Sequence, residues 1–322
     1  MYEGVGLMDR RRFLSRMVLL PPRGPGFEER SLLAQSHVGT AAEAPKPATT
    51  GPQSIPCGKI GPLTVSRLIG GGNLTSGFAH SRDLIYVSTL LQKYFTDEKV
   101  FETWQLGEQA GINAMILRVD EQVIRLLKAY RRRFQAGFQW IAQCKLTEGN
   151  IGRDIDLAAE NGAVAAYLHG GVCDSLVEAN RLDLIARGVE YIKGKGLVAG
   201  LGGHSINVVI AAENAGIPAD FYMKTLNARN YWTAGIMPRN DSVWEETPEI
   251  TIDFMKNVAK PWIAYKVLGA GAIQPEEGFR YALQNGADFL CVGMFDFQVA
   301  EDAEIARRLL NSPLNRPRPW RS

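Results

Sequence analysis

Cysteine and histidine are scarce in this chain, with four of each among 322 residues. Cys57, Cys144, Cys173 and Cys291 form no CxxC pair, so neither a disulfide framework nor a structural zinc site is implied. Charge of one sign is lacking too. The formal net charge is +2, which excludes the strong field that would mark nucleic acid as a partner. The short basic patch Tyr130–Arg133 ("YRRR") reads as a solvated helix face. No apolar run is long enough to span a membrane. What is present is an ordinary globular composition, 46% hydrophobic and 22% charged, enough to bury a sizeable core.

The first residues stand apart. "MDRRRFLSRMVLLPP" is similar to the twin-arginine export signal, with consecutive arginines before Phe13 and Leu14. Its apolar core, Met17–Leu20, is short and stops at Pro21. Export by that route and a cytoplasmic location both stay open. Residues 1–52 are rich in Pro, Ala, Gly and Ser and read as leader and linker; 53–311 carry the folded domain and 312–322 a C-terminal tail.

From residue 65 onward, short apolar runs alternate with helical-looking segments. The runs are "VSRLIGGGN", "INAMILR", "QWIAQCKL", "AVAAYLHG", "LVAGLGGHS", "ADFYMKTL", "PWIAYKVLG" and "ADFLCVGMF", eight in all. Several intervening segments end in Gly or Asn-Gly, as helix C-termini do. Continuous apolar strands separated by helices predict a parallel sheet covered on both faces. Eight such units predict an α/β fold, the (β/α)8 TIM barrel. Ahead of them, "IPCGKIGPLTVS" places two extended pieces around Gly58 and Gly61, a β-hairpin able to cap the barrel bottom.

In such barrels the chemistry sits at the C-terminal strand ends. Read in order, those ends give Asn73, Arg118 with Asp120, Lys145, His169, His204, Lys224, Lys266 and Asp296. Two of the four histidines therefore close adjacent strands, and three lysines make the mouth cationic. Crowded cations in a desolvated pocket depress a lysine's pKa, so Lys224 is a candidate Schiff-base or acid–base group. An anionic or sugar-like small molecule suits this mouth. His80, His169 and His204 with Asp120 or Asp296 could ligate a metal, but no HxH or HxxxH spacing assigns one. The glycines of "GAGA" (Gly269 and Gly271) and Gly293 would let backbone amides approach a phosphate. The long segment 228–249 after the sixth run, with two tryptophans, reads as a substrate wall.

The ordered series resembles the aldo-keto reductase family. "CGKIGPLTVSRLIGGGN" resembles that family's opening hairpin and first strand, and "GINAMILR" its second strand. "IAQCKL" and "YLHGG" are similar to the strands ending in its catalytic lysine and histidine, which implies roles for Lys145 and His169. "GLGGHS", "PWIAYKVLGAGAI" and "FLCVGMFDFQVAED" resemble later strands, the last two holding cofactor phosphates in the family. The resemblance implies a nicotinamide cofactor, NAD(P), held by Lys266, Gly269, Gly271, Gly293 and Asp296, and an oxidoreductase acting on a small carbonyl or sugar-like substrate. The chain departs from the pattern at the family's aspartate, where Ile116 stands, and at its tyrosine, which "LRVDEQVIRLLKAYRRR" does not supply before Tyr130. Gly202-Gly203 and Leu226-Asn227 stand where the family holds the nicotinamide. Asp120, or Tyr86 in the first loop, could supply the proton. A non-redox lyase or isomerase and a catalytically silent ligand-binding barrel are the other readings of the same residues.

Overall fold

The computed structural model describes residues 54–78, 84, 86–135, 137–147, 149–228, 245 and 247–322. The leader, His80 and nearly all of the 228–249 segment lie outside the described residues.

The chain enters through an antiparallel hairpin, β1 (Cys57–Ile60) and β2 (Leu63–Ser66), in register Ile60↔Leu63. Gly61 takes a left-handed φ of 56° at the turn, a conformation that glycine adopts without strain. Eight parallel strands follow: β3 (Leu68–Gly71), β4 (Ala114–Arg118), β5 (Gln139–Cys144), β6 (Ala165–Leu168), β7 (Val198–Gly203), β8 (Phe221–Thr225), β9 (Trp262–Tyr265) and β10 (Phe289–Val292). They pair in chain order, and β10 closes on β3, giving the closed barrel that the alternating sequence predicts.

Helices pack outside the strands: α1 (Tyr86–Tyr94), α2 (Asp97–Gln109), α3 (Glu121–Phe134), α4 (Arg153–Glu160), α5 (Gly170–Glu178), α6 (Leu182–Gly194), α7 (Ile206–Asn214), α8 (Pro248–Met255), α9 (Pro275–Gln284) and α10 (Asp296–Leu310). Their starts are written locally. Asp120 caps α3 by accepting the Val123 N–H at 2.9 Å, and Ser205 caps α7. Proline opens α8 and α9, where its missing N–H costs nothing.

Two apolar layers result. The lumen holds Ile69, Ile116, Ile141, Tyr167, Val198, Phe221, Met223, Ile263, Phe289 and Cys291, with Ile60 and Val65 of the hairpin joining the same cluster and plugging the bottom. The layer between strands and helices is aromatic around α2 and α3, where Trp104, Tyr130 and Phe138 meet edge to face or tilted. Gly200 makes room for the ring of Phe221, its register partner on the neighbouring strand; a methyl group there would fall 2.2 Å from the ring. The C-terminal residues pack on the bottom rim. Trp320 lies between the guanidiniums of Arg67 and Arg316, 3.8 and 3.5 Å from its ring. Buried Asp288 pairs with Arg316 and Arg318.

Candidate active site

Side chains alternate along a strand, so residues two apart share a face. Tyr167 lines the lumen, which carries His169 to the mouth just beyond β6. Gln143 and Lys145 follow the same alternation on β5, as do Gly202 and His204 on β7. Gln143 Nε2 donates to the Tyr167 hydroxyl at 2.7 Å, which fixes both side chains just beneath the histidines.

The histidines sit close together over β6 and β7. A methyl group on Gly171 would lie 3.3 Å from His169 Cε1 and 3.9 Å from His204 Cε1. His204 is firmly oriented. Its Nδ1 is 2.7 Å from Asp174 Oδ2, and the same carboxylate accepts the backbone N–H groups of His204 at 3.1 Å and Ser205 at 3.0 Å. With Nδ1–H donating to Asp174, the lone pair of His204 is on Nε2. Burial pushes the His204 imidazole down to about 4, against the pull of Asp174. His169 is half-buried, and its Nδ1 is buried without a hydrogen-bond partner. Burial, with His204, Lys145 and Lys266 nearby, pushes it down to about 4 as well. Both rings are therefore neutral at pH 7.

Tyr265, at the end of β9, completes this layer. Its ring is 5.5 Å from that of His204, and its hydroxyl donates to the Gly203 carbonyl at 3.3 Å. Burial holds the phenol far above its ordinary range, so it stays protonated. Lys145 is exposed on the rim, and its backbone N–H donates to Asp154. Lys266 is half-buried, in a left-handed conformation with φ 59°, and its carbonyl accepts from Asn227. Arg118 pairs with Asp120 and lies 4.0 Å over the Phe78 ring.

The structure brings Lys145, His169, His204 and Lys266 together and separates the other expected residues. Lys224 points out of the lumen, because Met223 takes the inward position on β8. Its ammonium is fully buried and donates to Glu245 at 2.6 Å and to the Thr225 carbonyl and hydroxyl at 2.9 Å. Those contacts use all three of its N–H groups, and burial lowers its pKa against the pull of Glu245, but the group is enclosed away from the mouth. The Asp120 carboxylate is committed to Arg118 and to capping α3. Asp296 accepts from Tyr94 and, at 3.0 Å, from Lys99. Gly269, Ala270 and Gly271 form a left-handed run with φ of 53°, 57° and 86°. Gly293 faces Leu74. Tyr86 is 61% exposed at the start of α1, and Tyr130 is buried in the helix layer with its hydroxyl on Glu108. Among the described residues no group of three or more His, Cys, Asp or Glu side chains could hold a metal ion.

Asp174 and Tyr265 escape sequence reasoning. Asp174 lies inside a helix five residues past His169, and Tyr265 looks like one more apolar strand residue. The alternation in "IAYK" is a local trace of Tyr265, and none marks Asp174.

No family model and no curated protein matches this sequence. Solved structures do. One, described as "Putative aldo-keto reductase from Pseudomona aeruginosa", has a TM-score of 0.57 at 16% identity over 82% of this chain and 100% of its own. A second structure of an aldo-keto reductase so described, from the same organism, has a TM-score of 0.55 at 17% identity over 82% of this chain and 99% of its own. At these identities the likeness establishes the fold: the chain is a (β/α)8 barrel of the architecture those proteins share.

Proposed function

We propose that this barrel is an enzyme that moves a proton on a small hydroxycarbonyl compound, in the manner of an isomerase or lyase. The observation that carries this reading is the Asp174–His204 pair beside His169. An imidazole held by a carboxylate through Nδ1 offers Nε2 as a base, and the carboxylate stabilises the imidazolium that forms. Neutral His169 supplies a second proton-transfer group at the adjacent strand tip. Lys145 and Lys266 favour a substrate that carries negative charge or many hydroxyls. The fold shared with the aldo-keto reductases is consistent with an enzyme and selects no chemistry.

The nicotinamide reading rests on Lys145 and His169, whose placement on adjacent strands the resemblance implies. A dinucleotide would set its pyrophosphate against the loops after β9 and β10. Lys266 and the left-handed run Gly269–Gly271 suit a phosphate there. The first turns of α9 and α10, however, carry Glu276, Glu277 and Asp296, which oppose one. At the nicotinamide end, Ile116 is a lumen residue, and Gly202 and Gly203 offer no side chain to hold the amide. These residues do not fit the dinucleotide, and the proposed chemistry uses none.

The test is proton NMR in deuterium oxide with a panel of hydroxyaldehydes, hydroxyketones and their phosphates. The reading expects deuterium incorporation next to the carbonyl that disappears in His204→Gln. Reduction of the same compounds, followed by loss of NADH or NADPH absorbance and without exchange, would replace this reading with the redox one.

A further inference from the structure

We infer that Glu245, Lys224 and Thr225 form a positioning relay that holds the main-chain carbonyl of His204, as Asp174 holds its N–H. The inference rests on the proton-transfer reading above and names the residues that aim its base.

Pairing of β8 with β7 sets Lys224 beside Gly203, so Thr225 and His204 come next along the two chains. The Thr225 hydroxyl donates to the His204 carbonyl at 2.9 Å. Its direction has a cause. The Lys224 ammonium donates to that same hydroxyl oxygen at 2.9 Å and has no lone pair to offer in return. The single hydrogen of the hydroxyl is therefore turned away from Lys224 and toward the His204 carbonyl. Lys224 is aimed in turn by Glu245, whose Oε2 accepts at 2.6 Å, and by the Thr225 carbonyl at 2.9 Å. Glu245 Oε1 accepts the N–H of Thr247, the residue before α8, at 3.1 Å. The bonds thus run unbroken from the start of α8 to the peptide of His204.

Lys224 and Thr225 are 0% exposed and Glu245 is 1% exposed. An ion pair enclosed this fully is costly to desolvate, and an apolar pair of similar volume often stabilises a fold as well. Stability alone therefore gives no reason for the pair, whereas aiming the Thr225 hydroxyl does. The imidazole hangs from a residue whose N–H is bonded to Asp174 and whose carbonyl is bonded to Thr225. With both main-chain groups fixed, Nδ1 stays on Asp174 and the lone pair on Nε2 keeps one direction.

Nitrogen-15 NMR of histidine-labelled protein reads the tautomer of His204, whose signals are assigned with His204→Gln. Circular dichroism and thermal melts check that each variant folds. The wild type should show one tautomer, with the proton on Nδ1. Thr225→Val keeps the shape and removes the hydroxyl; it should show both tautomers, and Thr225→Ser should restore the single one. In the deuterium-exchange assay kcat should fall up to about 100-fold in Thr225→Val with KM nearly constant, and should return in Thr225→Ser. The double replacement of Lys224→Met with Glu245→Leu separates aim from stability. It should melt near the wild-type temperature and still show both tautomers and the lowered kcat. A folded Thr225→Val that keeps the single tautomer overturns the inference, as does a double replacement that regains the single tautomer together with its stability. A wild type that exchanges no compound would instead sink the proton-transfer reading, and the tautomer of Thr225→Val would still decide the relay.

Discussion

The Asp174 carboxylate holds His204 at two points, the ring Nδ1 at 2.7 Å and the backbone N–H, and also accepts the N–H of Ser205. Both residues are largely shielded, with side chains 13% and 11% exposed. A carboxylate used this fully fixes the tautomer of the ring and its direction at once.

Asp174→Asn keeps the shape and loses the charge. Turnover should fall about 100- to 10,000-fold with a small change in KM, since the base loses its orienting partner. Stability should fall by about 1–3 kcal/mol as charge-assisted bonds weaken. Steady-state kinetics and urea unfolding on the same preparation check both.

The histidines make stability depend on acid. Each is about 4 when folded, below the ordinary 6.5 of the unfolded chain. The unfolded state therefore binds protons first as pH falls. Their contribution is fully present above pH 6.5, declines between there and about pH 4, and is then level. Each ring accounts for up to about 3 kcal/mol over that window. Urea midpoints at pH 7 and pH 5 should differ clearly, and the difference should shrink in His169→Asn. An equal drop in that variant would show that other groups dominate.

Lys224 and Glu245 form a pair that is 0% and 2% exposed. Removing one partner leaves a buried charge, so Lys224→Met or Glu245→Leu alone should cost about 3–5 kcal/mol. The double replacement should recover most of that loss in thermal unfolding. Borohydride with a carbonyl compound should leave Lys224 unlabelled by peptide mass mapping, because its ammonium is buried and fully bonded.

At the barrel bottom, Asp288 faces Arg316 and Arg318, and its backbone carbonyl accepts from Arg67. Asp288→Asn leaves those guanidiniums without their carboxylate and should destabilise the fold by about 3–5 kcal/mol. The mouth is at the other end of the strands, so kcat/KM of the surviving folded protein should be unchanged. A parallel loss of activity at temperatures where the variant is fully folded would contradict this separation.

Much of the architecture is legible before any coordinates. The eight apolar runs become β3 to β10, and "IPCGKIGPLTVS" becomes the hairpin beneath them. Lys145, His169, His204 and Lys266 can be read as strand-end residues because barrel strands stop where polarity returns. Lys224 looks the same by that rule, yet it belongs to the opposite face. Strands buried on both sides are apolar at every position, so "FYMKT" does not say whether Met223 or Lys224 looks inward.

The sequence by itself determines the barrel, because alternating apolar strands and capped helices leave a closed parallel sheet as the way to bury both faces. It also determines that two histidines stand at neighbouring strand ends. Only the tertiary structure decides what accompanies them. Pairing of β7 with β6 and β8 sets the height of each strand end, and the start of α5 sets the direction of Asp174. Together these bring Asp174, Tyr265 and Gly170 around one ring. Those partners come from α5 and β9, neither of which carries His204, and no local pattern links them until the barrel has closed.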